Sequence, residues 1–468
     1  MQLRPRRRPV LLLAALGLGG GLLLAAALSA PRLVAIAPAD SSESVSSKAP
    51  LRITFSRPMD RASVESGLAI DPRPAGTLRW DGTTLVFEPS EAWPVGGHVS
   101  VRLAGARSAQ GLPLLGGAAW SFEIGVPRVA YLWPADGPAD IYVRALDDSD
   151  PVRLTTTAGV LDFQVTADGA ALVYSAQTTG GDSELRRRDL SSGADEVLYA
   201  CPAGSICRQA TLSPDGQWLA FEQEDHGSDT ASAAEDSVAV RLYSVGSNAT
   251  AFAVAPADHS TTRPSWSPAN ALAYYDQDLR AYAFLNHPGS PEQSPDSFVP
   301  NALGDRGVWS PDGESFVFPE LVFVAASPTD GSEGPPVFYS HLYRLNVGSG
   351  AILDLSGEEG YLVEDAGAAY SPDGLWLTFS RKYLDRPRWT LGRQIWRMRS
   401  DGLDPEPLTD EPTLNHSALA WSPDGQYLVY MLFDQMDMTR PAEIWWRSAD
   451  GSGSGQLAVG GYAPAWTP

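Results

Sequence analysis

The sequence predicts an all-β chain: a small β-sandwich followed by a seven-bladed β-propeller, behind an N-terminal transmembrane or signal helix. Three observations predict it. A turn of the form aromatic-Ser-Pro-Asp-Gly recurs from about residue 128 to the end. Before it, short runs alternate apolar and polar residues over positions 33–125. At the start, an uncharged run follows a cluster of arginines. The composition agrees. With 44 Gly and 38 Pro in 468 residues, many short strands joined by turns are expected and long helices are not.

The N-terminal element comes first. Arg4, Arg6, Arg7 and Arg8 precede an uncharged stretch over 10–30. As a helix it spans about 31 Å at ~1.5 Å per residue, the thickness of a bilayer core. Positive charge ahead of such a stretch holds the N-terminus in the cytoplasm and places the rest outside. Ala25-Ala26-Ala27 and Ala27-Leu28-Ser29 also offer small residues to a signal peptidase. The expected organisation is therefore 1–31 signal anchor or signal peptide, 32–126 sandwich and 127–468 propeller. The expected location is the extracytoplasmic side of the cell membrane, with secretion after cleavage as the alternative.

Strands of the sandwich are read at Leu51-Arg52-Ile53-Thr54-Phe55, Leu85-Val86-Phe87, Val99-Ser100-Val101-Arg102-Leu103 and Trp120-Ser121-Phe122-Glu123-Ile124. Their period of two marks one buried face. Pro38-Ala39-Asp40, Ile53-Thr54-Phe55-Ser56 followed by Pro58-Met59-Asp60, Leu85-Val86-Phe87-Glu88-Pro89 and the closing Trp120-Ser121-Phe122 resemble the Ig-like domains of bacterial S-layer and other surface proteins. That resemblance implies a spacer or adhesion module and carries no chemistry. Asp40, Asp60 and Asp81 sit in separate turns and are read as turn residues.

The repeat defines the remainder. It stands at Leu212-Ser213-Pro214-Asp215-Gly216, Trp309-Ser310-Pro311-Asp312-Gly313, Tyr370-Ser371-Pro372-Asp373-Gly374 and Trp421-Ser422-Pro423-Asp424-Gly425. Decayed copies lie at 165–169 and 266–270. Pro presets φ, Asp bonds its own backbone and Gly accepts positive φ, so the motif closes a tight turn between two strands. A second strand type follows each, as at Leu342-Tyr343-Arg344-Leu345 and Ile395-Trp396-Arg397-Met398. One such sheet cannot bury both its faces, so copies must stack radially. The pattern resembles the repeats of TolB-like and WD-like propellers and those of dipeptidyl-peptidase-type enzymes. Ala465-Trp466-Thr467-Pro468 reads as a seventh inner strand cut at its turn, so Val129–Leu132 is expected to pair with it and close the ring. Six blades, the number the TolB resemblance implies, is the alternative.

Function classes are then narrowed. Fifty-six Asp and Glu against 34 Lys and Arg give a net charge of −22, which repels phosphate backbones; no nucleic-acid partner is expected. Asp215, Asp312, Asp373 and Asp424 recur at one turn and are read as structural. There is no Gly-x-Ser-x-Gly, His-Glu-x-x-His, phosphate loop or dinucleotide fingerprint, so no enzyme, metal or cofactor is expected. Cys201 and Cys207 read as a short-loop disulfide in an exported chain. The residues four or five places before each turn aromatic should lie where the inner strands enter a central channel. Among them Arg208, Asp305, Asp365 and His416 are the candidate ligand-binding residues. Long connectors at 222–237, 286–300, 319–340, 381–393 and 432–443, carrying Asp225, His226, Arg388 and Trp389, are expected on the binding face. The expected function is non-catalytic binding of a protein, peptide or cell-envelope partner, with contact to the membrane through the N-terminal segment only. The alternative is a polysaccharide hydrolase or lyase on a propeller scaffold.

Overall fold

The computed structural model describes residues 30–467, except 116–117, 147–148, 226–236, 248, 291–292, 325–336 and 358–361. Among the described residues no helix is long and apolar enough to cross a membrane. The expected anchor lies outside them, apart from Ala30 and Pro31. The chain divides into two compact units, Met1–Gly125 and Val126–Pro468.

In the first unit the strands are β1 (Leu33–Ala37), β2 (Ser42–Val45), β3 (Leu51–Phe55), β4 (Leu68–Asp71), β5 (Gly76–Asp81), β6 (Thr84–Pro89), β7 (His98–Leu103) and β8 (Ala118–Ile124), with one short helix, α1 (Arg61–Gly67), between β3 and β4. They form two four-stranded sheets, ordered β1-β3-β6-β5 and β2-β8-β7-β4. Exposure alternates strictly along β7, so Val99, Val101 and Leu103 point inward. They meet Ile53, Phe55, Leu85, Phe87 and Phe122 in a single core. Trp93 is buried at its centre, and its indole N–H donates to the Ala49 carbonyl at 2.9 Å. Asp40 accepts the Ser121 N–H at 3.1 Å, a bond to β8 rather than to the backbone of its own turn.

The second unit is built from seven successive groups of four antiparallel strands. The first joins the two ends of the unit: β9 (Arg128–Trp133), β10 (Asp140–Ala145) and β11 (Val152–Arg153) with the final strand β36 (Tyr462–Thr467). Next come β12 (Val160–Val165), β13 (Ala171–Gln177), β14 (Ser183–Asp189) and β15 (Asp195–Ala200), then β16 (Ser205–Leu212), β17 (Trp218–Asp225), β18 (Ser237–Ser244) and β19 (Phe252–Ala253). The fourth holds β20 (Thr261–Trp266), β21 (Leu272–Asp276), β22 (Ala281–Leu285) and β23 (Ser297–Pro300). The fifth holds β24 (Val308–Trp309), β25 (Ser315–Val324), β26 (Val337–Asn346) and β27 (Ile352–Asp354). A single parallel pairing, Ser340 with Glu364, links it to the sixth: β28 (Val363–Tyr370), β29 (Trp376–Tyr383), β30 (Gln394–Arg399) and β31 (Glu406–Pro407). The seventh is β32 (Leu414–Trp421), β33 (Tyr427–Asp434), β34 (Glu443–Ser448) and β35 (Ser454–Val459).

First strands of neighbouring groups touch one another along β36-β12-β16-β20 and β24-β28-β32-β36. Trp309 spans the remaining junction by donating its indole N–H to Ser265 of β20. The arrangement is that of a β-propeller. As the sequence led one to expect, β36 pairs with β9, with Trp466 opposite Val129 and Thr467 opposite Arg128.

The recurring turn behaves as its chemistry dictates. Ser213, Ser310, Ser371 and Ser422 donate to Asp215, Asp312, Asp373 and Asp424 at 2.5–2.6 Å. Each carboxylate also takes the backbone N–H two residues on. These acids are spent on the turn. The turn aromatic staples one group to the next: Trp266 donates to the Thr211 carbonyl, and Trp466 to the Ala420 carbonyl.

One expectation needs correction. The connector 286–300 does not join second to third strands. β22 is the third strand of its group, so 286–296 leads to the fourth and lies at the Pro-Asp-Gly end of the sheet. The other four connectors do join second to third strands, although His226 and parts of 222–237 and 319–340 lie outside the described residues. Cys201 and Cys207 are bonded to each other, with Cys207 fully buried.

Candidate functional site

The residue three places before the position preceding each turn's Ser or Thr, aromatic in five of the seven copies, occupies a special position. These residues are Asp162, Gln209, Arg263, Arg306, Gly367, Ala418 and Ala463. Beside this position the antiparallel register slips, between Arg208 and Thr211, Thr262 and Ser265, Ala366 and Ala369, Ser417 and Ala420, and Tyr462 and Ala465. A bulge of this kind re-aims a side chain out of the sheet. The backbone takes positive φ there, 53° at Gln209, 59° at Arg263, 52° at Ala418 and 51° at Ala463. Only Gly367 of these is free of the Cβ penalty.

Two facts place this column at the axis of the groups. Arg306, Gly367, Ala418 and Ala463 are exposed although each sits on or beside an inner strand whose other residues are mostly buried or half-buried. In addition, Arg306 of the fifth group bonds the side-chain oxygen of Gln209 of the third, reaching past the fourth. Groups that are not adjacent can meet only where all of them converge.

One side of this space is charged and the other is lined by Gly367, Ala418 and Ala463. On the charged side Asp162 takes the Gln209 backbone N–H on Oδ2 at 2.9 Å, while its Oδ1 is buried without a partner. Burial pushes the Asp162 carboxyl up to about 6, against the pull of the Gln209 N–H. Glu222, on β17, accepts the Arg263 N–H at 2.6 Å and is also raised by burial. Burial lowers Arg306 from the usual guanidinium range, with Glu222 and Asp162 opposing the shift. Arg306 thus meets water along the axis while protein surrounds it on its other sides. The set offers donors (Arg306, Arg263, Gln209) and acceptors (Asp162, Glu222) within one confined space. That suits recognition of a polar group of mixed hydrogen-bonding character.

The four residues singled out from the sequence divide. Arg208 pairs with Glu224 on the neighbouring strand, and Asp305 holds Arg263 at 2.9 Å; both border the axial set. Asp365 is wholly buried and held by Arg381 through bonds of 2.6 and 2.8 Å. His416 is wholly buried, with Nδ1 2.9 Å from the Arg393 carbonyl and Nε2 3.1 Å from Glu411. Burial lowers its pKa. Five places before the aromatic, ahead of the bulge, a side chain points into the sheet packing rather than the axis. Among the described residues no three His, Cys, Asp or Glu side chains gather as metal ligands.

Residues 28–124 match the family model of the bacterial Ig-like domain. No curated protein matches the chain. Similar solved structures include TolB from Acinetobacter baumannii, 15% identical with a TM-score of 0.44, covering 86% of this chain and 83% of that one. They also include the β-propeller domain of the Trilobed protease from Pyrococcus furiosus, 11% identical with a TM-score of 0.44, covering 78% and 95%. A third is oligogalacturonate lyase from Vibrio parahaemolyticus, 11% identical with a TM-score of 0.35, covering 71% and 79%.

Proposed function

We propose that this is a non-catalytic binding or scaffold protein of the extracytoplasmic side, which recognises a protein or peptide partner at the axial cluster of its second unit. In this reading the seven strand groups are seven blades, and the apolar run over 10–30 tethers the chain to the membrane. The observation that carries the reading is the convergence of Arg306, Gln209, Arg263 and Asp162 at the axis, with Gln209 and Arg263 held at positive φ. Non-glycine residues held at positive φ persist where the surroundings over-determine them, and such positions cluster at ligand sites. A mixed set of donors and acceptors fits the side chains and backbone of a polypeptide. The net charge of −22 disfavours nucleic acid and anionic lipid as the occupant. The connectors 381–393 and 432–443 support the same face. They lie at the sheet end where the inner strands begin, and they carry exposed Trp389, Met436 and Met438.

Cross-linking capture from cell envelopes tests this, with the full chain and its Arg306→Ala and Arg263→Ala variants side by side. A polypeptide partner recovered by the parent chain and depleted about tenfold or more by either variant is expected, since charged hydrogen bonds contribute about 1.5–3 kcal/mol. A partner held equally well by all three chains would remove the axial cluster from its recognition. Cleavage of a polysaccharide by the parent chain would replace the reading with that of a hydrolase or lyase.

A further inference from the structure

A cavity of about 640 Å³ opens between the sixth and seventh strand groups and shares no residue with the axial cluster. Its size falls within the range of ordinary ligand pockets, about 300–1,000 Å³. Its lining includes the connector after β31, with Asp410 and Glu411; β33, with Tyr430; β34, with Trp445 and Arg447; the loop before β34, with Arg440; and the turn 451–454.

Several of its polar groups have hydrogen-bonding capacity that the protein does not use. Arg447 donates one Nη to the Leu408 carbonyl, but its Nε is buried without a partner. The ring of Tyr430 is 5% exposed, and its hydroxyl bonds no protein group among the described residues. Burial pushes that hydroxyl up to about 12, so it stays neutral and can both donate and accept. Glu411 commits one oxygen to His416 at 3.1 Å and leaves the other free. Trp445 is fixed by its indole N–H on Glu443 at 2.7 Å, which sets an aromatic wall in place.

The charge of the lining selects among ligands. Asp410, Glu411, Asp434 and Glu443 outnumber Arg440 and Arg447, and Arg440 already lies 3.5 and 3.7 Å from Asp434 and Glu443. The acid rim repels phosphate, sulfate and carboxylate groups, while a cation would meet Arg447 with its buried, unpartnered Nε. A neutral ligand rich in hydroxyls escapes both penalties. Each hydroxyl can donate to Glu411 and accept from Arg447 or Tyr430, and the apolar face of a sugar ring can lie on Trp445.

We infer that the cavity between the sixth and seventh strand groups binds a short neutral oligosaccharide, through Tyr430, Arg447 and Glu411 with Trp445 as its platform. The test is titration of the full chain, by calorimetry and saturation-transfer NMR, with uncharged trisaccharides of glucose and of N-acetylglucosamine. Trigalacturonate and inorganic phosphate serve as anionic comparators. At least one uncharged trisaccharide should saturate, with both anions about tenfold weaker or more. Tyr430→Phe should weaken that binding about 3- to 10-fold, the effect of one lost hydrogen bond, with no change in the unfolding midpoint. Glu411→Gln, an exposed change that keeps the side-chain shape, should act in the same direction, whereas Arg306→Ala should leave sugar binding intact. Absence of saturation by every uncharged trisaccharide, preference for an anion, or binding that neither Tyr430→Phe nor Glu411→Gln alters would each overturn the inference.

Discussion

Asp365 and Arg381 are 0% and 2% exposed, and the guanidinium also donates to the Ser356 carbonyl and lies 4.9 and 5.3 Å from the Phe379 and Trp396 ring centroids. A pair so far from water is sensitive to the loss of one partner. Asp365→Ala strands a buried cation and is expected to cost about 3–5 kcal/mol in urea unfolding, with Asp365→Leu combined with Arg381→Met recovering most of it. Asp162 behaves oppositely. Its carboxyl titrates higher in the folded chain than in the unfolded one, because burial disfavours the charged form. The stabilisation this gives is full below the unfolded pKa near 4 and is lost as pH rises through about 6. Asp162→Asn removes the titration and keeps an acceptor for the Gln209 N–H. The variant should therefore exceed the parent in stability at pH 7.5 by about 1–3 kcal/mol, with the gap closing by pH 4; equal midpoints at pH 7.5 would contradict it.

At the scale of the strand, the bulge is the feature with most consequence. Ala418 and Ala463 hold left-handed backbone that costs a non-glycine residue about 1–2 kcal/mol. Ala418→Gly should leave stability unchanged or raise it, since relief of strain offsets the added freedom of the unfolded chain. Ala418→Val should lower it by about 1–3 kcal/mol in the same unfolding assay. The bulge also explains what the sequence could and could not disclose. The Pro-Asp-Gly turns were legible because their conformation is set by three adjacent residues. The strand flanking each turn was legible from its period of two. The inward position was not, because no glycine marks it at Gln209, Arg263, Ala418 or Ala463, and counting without the register slip leads to Asp365 and His416 instead. Asp162, Gln209, Arg263 and Arg306 were missed for that reason, and Glu222 because it lies on the second strand β17. A signal existed in the column itself, where Asp, Gln, Arg and Arg recur three places before the residue that precedes the turn and Gly367 follows in the next copy. The connector 286–300 was misplaced because the true link between β21 and β22 is only residues 277–280, so the long loop after β22 was counted in its place.

For the molecule as a whole, the first strand group depends on residues far apart in sequence. Thr467 donates to the Arg128 carbonyl across a separation of 339 residues. Deleting 462–467 would leave β9 as a free edge next to an unfilled position. The expected result is loss of cooperative unfolding and early proteolysis within 128–153, read by limited digestion of the full chain and the deletion variant. The Cys201–Cys207 link acts more locally: replacing both by Ser should lower stability by about 2 kcal/mol, the chain-entropy value for so short a loop, without opening the ring. The pairing of β9 with β36 also bears on timing. During synthesis β9 leaves the ribosome long before its partner exists, and every intervening strand group must be made while that edge waits. Contacts of such separation form late and slowly. A nascent chain that has not yet made Tyr462–Thr467 therefore carries β9 with one edge unpaired, the kind of exposed strand that templates aggregation.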